Sequence, residues 1–529
     1  MYDYVIVGAG SAGAVLASRL SEDPSVKVLL LEAGCKSRDL RTRAPGLYNL
    51  LWRTKLDWEF YTEPQEHVDA RRMYWPRGKL VGGTSMLNAL VYIRGHRSNY
   101  DDWRDLGNPG WGYEDVLPYF KRSEDWRGRT SPFHGTSGPL TVSRAEKLAR
   151  SSAAFIEALA ARPGVSRNED FNGERQEGVG QYDHTIRDRE RCSTAMAFLE
   201  PAGARPNLHV LPNALALGLV MDGSRVRGVR YLSGKREEVV RADREVILAA
   251  GAIGSPHLLL LSGIGPADHL RHHGVPVALD LPGVGTNLQD HLLTVVQYAA
   301  IAGGSDRLSI PGLALWAARY LLNRTGNLAV SPVDVGAFLN TAKDAPRPEL
   351  QFHFAPYGVD SPNTDVKRDP PVGTFFCLLP SLIYPKSRGT IRLKSSDPAR
   401  APAIDPRYFS APEDLEVLVN GVHIAREIAA TAPLSRYRGA EACPGSTAKT
   451  DEQIRANIRQ RVNTIFHPVG TCKMGVDDAA VVDPELRVRG ITGLRVVDAS
   501  VMPSIIGGNT NAPTIMIAER ASDLIRGSA

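Results

Sequence analysis

The chain opens with short apolar runs separated by glycine and polar breaks. Tyr4-Val5-Ile6-Val7 is β-branched and reads as a buried strand that stops at Gly8-Ala9-Gly10-Ser11-Ala12-Gly13. The alanine-rich stretch Ala14 to Leu20 reads as a helix, and Val26 to Leu31 as a second buried strand ending at Glu32. Later, Glu349-Leu350-Gln351-Phe352-His353-Phe354 alternates, which predicts a one-sided strand with Leu350, Phe352 and Phe354 on its buried face. Gly389 to Leu393 is another alternating run. Ile454, Ile458 and Val462, four apart, predict a helix over Asp451 to Val462, and Pro513 suits the first turn of a helix running to about Ile525. The fold class is mixed α/β.

Composition acts mainly by exclusion. At roughly 150 residues per domain, 529 residues hold two or three domains. A hydrophobic share of 43% and a charged share of 23% suit a soluble globular protein, not a disordered one. The 49 glycines and 36 prolines are aperiodic, so they indicate loops and not a fibre. The net charge of +5 is spread without a basic block, which argues against nucleic-acid binding. No apolar run approaches the ~18 residues of a membrane span. Strand-like sequence begins at the first residues, leaving no room for a signal peptide. The five cysteines are odd in number and lack a C-x-x-C pair, so neither a disulfide framework nor a zinc site is expected. A reducing, cytoplasmic location follows as the expectation.

The N-terminal pattern carries chemistry. Gly8 permits a tight turn, Gly10 lets backbone approach a pyrophosphate, and Gly13 lets helix and strand pack closely. A diphosphate would sit at the helix N-terminus around Ser11 and Ala12, where free N–H groups and the dipole favour anions. Glu32, nineteen positions beyond Gly13, is placed to accept hydrogen bonds from the adenosine ribose. This predicts dinucleotide binding and does not separate FAD from NAD.

Further blocks make that separation. They are Gly78 to Asn88, containing Gly82, Gly83 and Thr84; Gly251 to Gly265; Phe466-His467-Pro468-Val469-Gly470; and Gly507-Gly508-Asn509-Thr510-Asn511-Ala512-Pro513. Together with the N-terminal fingerprint they resemble the glucose–methanol–choline (GMC) oxidoreductases over essentially the whole chain. Within that family the length is similar to bacterial choline-dehydrogenase-like and hydroxymethylfurfural or aryl-alcohol oxidase-like members. The resemblance implies a Rossmann-like FAD domain assembled from 1–155, 195–305 and 465–529. It also implies a substrate domain, 156–194 and 306–464, with an antiparallel sheet flanked by helices. The polar, proline-rich Gly358 to Pro371 would edge the substrate entrance.

By the same resemblance His467 is the base for alcohol oxidation, and Asn511 is its partner, donating to the substrate oxygen. An imidazole titrating near neutrality suits that role. Asn is also a favoured helix cap, so Asn511 is expected to start the last helix as well. Asp498 matches an FAD-contacting position, and Thr84 and Asn88 would lie along the pyrophosphate and flavin. Some relatives attach FAD through a histidine in the second glycine loop. Here that neighbourhood holds Met86, Leu87 and Asn88, so FAD is expected to be non-covalent. Phe466, beside the base, would shape access to the flavin.

The expected activity is oxidation of a primary alcohol, aromatic or furanic, to the aldehyde, with dioxygen as acceptor. A dehydrogenase using a quinone, or acting on choline or an aliphatic alcohol, is the alternative. Hydroxynitrile lyases and light-driven decarboxylases on the same fold are remoter alternatives. His269, His272 and His273 have a spacing open to metal binding, but beside Gly274 they read as a solvated helix end, and no metal is expected.

Overall fold

The computed structural model describes residues 1–301, 310–341, 345–356 and 375–527. Gly358 to Pro371 lies outside the described residues. Two large sheets organise the rest, and the candidate site lies between them.

The first sheet has seven strands. Leu208–Leu211, Val28–Leu31, Tyr2–Val7, the C-terminal part of Arg236–Leu248 and Leu494–Val496 lie parallel in that order. All four residues of Val28–Leu31 are buried, as befits a parallel strand covered on both faces. The N-terminal part of Arg236–Leu248 runs on beyond the parallel core and pairs antiparallel with Arg225–Ser233, which pairs with Ala214–Asp222. Helix Ser11–Leu20 returns the chain from the first strand to the second and packs against the C-terminal helix Asn511–Arg526. One buried carboxylate ties this layer together. Glu519 accepts from Arg19 Nη2 at 2.8 Å and from Arg122 Nε at 2.8 Å, joining helices Ser11–Leu20, Tyr113–Ser123 and Asn511–Arg526.

The second sheet is antiparallel and eight-stranded. Its path runs Arg438–Cys443, Val296–Ala300, Phe375–Leu382, Leu350–Ala355, Val335–Leu339, Gly178–Gln181. Helix Glu413–Ala430 covers one face. Gly421 lets it approach closely, because a Cβ there would stand 2.6 Å from Pro380 Cβ. Helix Arg150–Ala160 adds Phe155, stacked 4.9 Å from Phe354.

Three expectations shift. The short strands Leu292–Leu293 and Val296–Ala300 belong to the second sheet, so the chain changes sheets near residue 291 and not at 305. Helix Arg150–Ala160 crosses the expected boundary at 155 and packs on the second sheet. Strand Leu350–Ala355 is not one-sided: all six residues are buried, because its Gln351 and His353 face is also covered by protein. The helix expected over Asp451 to Val462 forms as Asp451–Arg461, and the run Gly389 to Leu393 gives strand Thr390–Arg392, paired with Ala403–Asp405 outside the large sheets.

Glu519→Ala removes the buried partner that Arg19 and Arg122 share and leaves them their outer partners Glu22 and Asp523. It should lower stability by about 3 kcal/mol, read from urea unfolding; a loss below about 1 kcal/mol would mean the clamp is not structural.

Candidate active site

One cavity of about 570 Å³ runs between the sheets. At one end its wall is Gly8, Gly10, Ser11, Ala12 and Glu32. Gly8 stands at φ +100, and a Cβ there would lie 2.6 Å from Ala249 O. Gly13 does not reach the cavity; its Cβ would fall 1.8 Å from Gly8 O, so it serves close packing. The second glycine loop docks on the first. Gly82 N donates to Ala9 O at 2.8 Å, and a Cβ on Gly83 would lie 2.6 Å from Gly10 Cα. Gly83 lines the cavity and Gly82 does not.

Helix Ser11–Leu20 therefore begins at the cavity wall. No side chain caps it, and its first turn holds no acid. Such an end favours an anion. Glu32 accepts from Ala9 N at 2.9 Å and Gly34 N at 2.8 Å, while burial pushes its carboxyl up to about 7. Thr84 and Asn88 also line the cavity; Asn88 Oδ1 accepts from Arg191 Nη1 at 2.7 Å. Asp498 lines it too, with its oxygens engaged by Gly251 N at 2.9 Å, Ser500 N at 2.8 Å and Ser255 Oγ. Burial raises its pKa above the usual carboxylate range against those donors.

The other end holds His467. It follows Phe466, a non-glycine residue at φ +65 whose carbonyl accepts from Arg77 Nη2 at 2.6 Å. His467 N donates to Asp290 Oδ1 at 2.7 Å. The His467 ring sits with Nδ1 3.0 Å from His291 Nδ1 and Nε2 3.3 Å from Asn509 Nδ2. Burial takes its pKa well below the usual imidazole range, and the neighbouring His291, His353 and Arg77 push the same way. His467 is thus neutral at ordinary pH.

The expected pairing of His467 with Asn511 differs from this geometry. Asn511 begins the last helix, and its Oδ1 accepts from Ser11 Oγ at 2.7 Å, bridging the first and last helices. Asn509, two residues earlier, is the asparagine that meets His467. The helix start explains the displacement: Asn511 is already turned into the first helical turn, whereas Asn509 still belongs to the loop.

Three polar residues escaped the sequence reading. His291 backs His467. His353 lines the cavity with its Nδ1 buried and, among the described residues, without a partner, and burial lowers its pKa to about 4. Gln351 Nε2 stands 3.5 Å from Asn509 Oδ1. The alternation of strand Leu350–Ala355 held the signal for His353 and Gln351, which share the face opposite Leu350, Phe352 and Phe354. The histidines near Gly274 meet the solvated reading only in part: His272 is exposed, but His269 is half-buried, its Nε2 accepts from Leu393 N at 2.9 Å, and burial lowers its pKa to about 4. Among the described residues no group is placed to hold a metal.

An uncapped, glycine-walled helix end that opens into the same cavity as a neutral buried histidine defines a dinucleotide-dependent oxidoreductase. Known proteins narrow this. The N-terminal model of the family described as GMC oxidoreductase matches residues 2–293, and its C-terminal model matches residues 385–518. The alcohol dehydrogenase [acceptor] of Pseudomonas putida is 44% identical over 99% of this chain and 96% of its own. The oxygen-dependent choline dehydrogenase of Burkholderia cenocepacia (strain HI2424) is 43% identical over 99% and 94%. The crystal structure of pyridoxine 4-oxidase from Mesorbium loti superposes with a TM-score of 0.90 at 34% identity, covering 99% of this chain and 98% of that one. The chain belongs to the GMC oxidoreductase family and is an FAD-dependent alcohol oxidoreductase.

The residues present fit FAD. The glycine wall offers backbone with no Cβ in the way, the uncapped helix end suits a diphosphate, and Glu32 keeps lone pairs beyond its two backbone donors. Glu32→Ala should leave the fold intact by circular dichroism and weaken FAD retention roughly ten- to a hundredfold, read as the flavin-to-protein ratio after gel filtration. Full retention would remove Glu32 from the cofactor site.

Proposed function

We propose that this enzyme oxidises an uncharged primary alcohol of the aromatic or furanic hydroxymethyl class to its aldehyde, passing electrons to dioxygen, with FAD held non-covalently. The observation that carries the reading is the His467–Asn509 pair in the cavity wall. The cavity is lined by Trp52, Trp58, Phe60, Phe466, Val333 and Leu379, and Phe466 meets Trp52 edge-on at 5.6 Å. Among the described residues the only acids lining it are Glu32 and Asp498, both engaged by backbone N–H groups, whereas Arg77, Lys79 and Arg400 add positive charge. The apolar walls suit a flat, neutral substrate, and the positive side chains oppose a quaternary ammonium. The pyridoxine 4-oxidase neighbour supports the aromatic class, since pyridoxine is a hydroxymethyl-substituted ring.

The residues divide the work as follows. His467 Nε2 accepts the hydroxyl proton, and its neutral state keeps the lone pair available. Asn509 Nδ2 donates to the substrate oxygen and stabilises the charge that grows there. Asn509 cannot itself take the proton, so the two roles stay separate. The apolar walls exclude water, which strengthens both contacts. When bound, FAD supplies the two-electron oxidant that accepts the hydride leaving the carbinol carbon. Met86, Leu87 and Asn88 offer no histidine for a flavin link in the second glycine loop.

The alternative acceptor has one specific observation in its favour: the relative at 44% identity is named alcohol dehydrogenase [acceptor]. Peroxide release during aerobic turnover separates the two; its absence, with turnover on a quinone dye, favours the dehydrogenase.

His467→Ala should stay yellow, yet its flavin should bleach anaerobically with a benzylic or furanic alcohol roughly 10²- to 10⁴-fold more slowly. Asn509→Ala should slow bleaching about tenfold or more, and Asn511→Ala should do so less. Undiminished bleaching in His467→Ala refutes the base assignment. A larger effect at Asn511 than at Asn509 returns the partner role to Asn511.

A further inference from the structure

His291 lies directly behind His467 and is fully buried, the two rings 5.2 Å apart and nearly perpendicular at 86°. Its own contacts decide where its protons are. Nε2 stands 3.0 Å from the carbonyl oxygen of Ile383. A carbonyl only accepts, so Nε2 carries the hydrogen. Burial takes the His291 pKa down to about 3, leaving it one ring proton. Its Nδ1 is therefore a bare lone pair. That lone pair faces His467 Nδ1 at 3.0 Å, and a contact this short needs one hydrogen between the two nitrogens. Only His467 can bring it.

From this chain of contacts we infer that His291 is a positioning residue: anchored by the Ile383 carbonyl, it holds His467 in the Nδ1–H tautomer and so leaves His467 Nε2 as the base facing Asn509 and the cavity. The inference rests on the reading of His467 as the base and adds what makes the correct nitrogen basic. The tautomer of a histidine is set by the bond its other nitrogen makes. Here that bond comes from another neutral ring and not from a carboxylate.

Two consequences follow for the proton. When His467 takes it from the alcohol hydroxyl, the O–H bond breaks, the N–H bond forms at Nε2, and the cation's Nδ1–H still points at the His291 lone pair. That hydrogen bond becomes charge-assisted and strengthens, which favours the transfer. The proton does not travel on through His291, because the Ile383 carbonyl beyond it cannot take one up. It stays on His467 and leaves from the cavity side. Asn509 gains support of the same kind, since Gln351 Nε2 faces its Oδ1 and turns its amide nitrogen toward His467.

The test compares His291→Phe, which keeps a ring and removes the acceptor, with His291→Asn, whose Oδ1 can stand near the lost Nδ1. Both are assayed as FAD-loaded enzyme by anaerobic stopped-flow reduction with a benzylic alcohol. His291→Phe should retain FAD and the substrate dependence of the wild type while its limiting reduction rate falls roughly ten- to a hundredfold. His291→Asn should recover most of that loss. In ¹⁵N-histidine spectra the signal lost in His467→Asn should report an Nδ1–H tautomer in the wild type and Nε2–H in His291→Phe. A wild-type His467 protonated at Nε2, or an unchanged rate in His291→Phe, overturns the proposal. Should His291→Phe fail to fold, the wild-type spectrum and His291→Asn still decide it. A failure of the base reading itself is a separate result: His467→Ala then reduces normally while the tautomer remains Nδ1–H.

Discussion

Phe466 stands in a left-handed conformation that costs a non-glycine residue about 1–3 kcal/mol, and the chain is held there by Arg77 on the Phe466 carbonyl, Thr464 on its N–H and the buried Asp290 carboxylate on the next. Asp290 Oδ1 accepts from the His467 N–H, while Oδ2 accepts from the hydroxyls of Thr464 and Tyr408. Burial raises the Asp290 carboxyl to about 6 against these donors. Asp290 also precedes the point at which the chain enters the second sheet at Leu292–Leu293, and its neighbour His291 backs His467. One residue thus sets the aim of the base, the place of its supporting ring and the junction between the sheets.

The rest of the site depends on that junction. The parallel sheet supplies a glycine-walled helix end and Glu32; the antiparallel sheet supplies His353 and Leu379, and Trp52, Trp58, Phe60 and Phe466 reach the cavity from segments outside both sheets. Neither sheet alone encloses a cavity suited to both a dinucleotide and an alcohol. Burial has two effects here. It keeps His467, His291 and His353 neutral, and it makes each unshared hydrogen-bonding group costly enough to fix tautomers and amide orientations.

The N-terminal strand, turn, helix and acid were legible because each has its own signal: β-branched residues, glycine spacing, alanine-rich helix and a strand-end carboxylate. His467 was legible through its surrounding block. Asn509 and Asn511 were not separable, since two asparagines flanking Thr510 have the same chemistry, and only the start of the helix turns one to His467 and the other to Ser11. His353 and Gln351 sat on what read as the exposed face of a strand, because alternation reports a difference between faces and not whether the polar face is covered. The sheet change near residue 291 left no trace, for Leu292 to Ala300 are short apolar strands that suit either sheet.

The central claim is a buried base that is neutral and correctly oriented before the alcohol arrives. The pH dependence of anaerobic flavin reduction by a benzylic alcohol tests it most directly. Because the folded site takes the His467 pKa well below 6.5, the reduction rate should hold its plateau as pH falls through 6.5 and drop only at lower pH. A single-proton fall centred at 6.5 or above, absent from a His467 variant, would show a solvated imidazole and contradict the account.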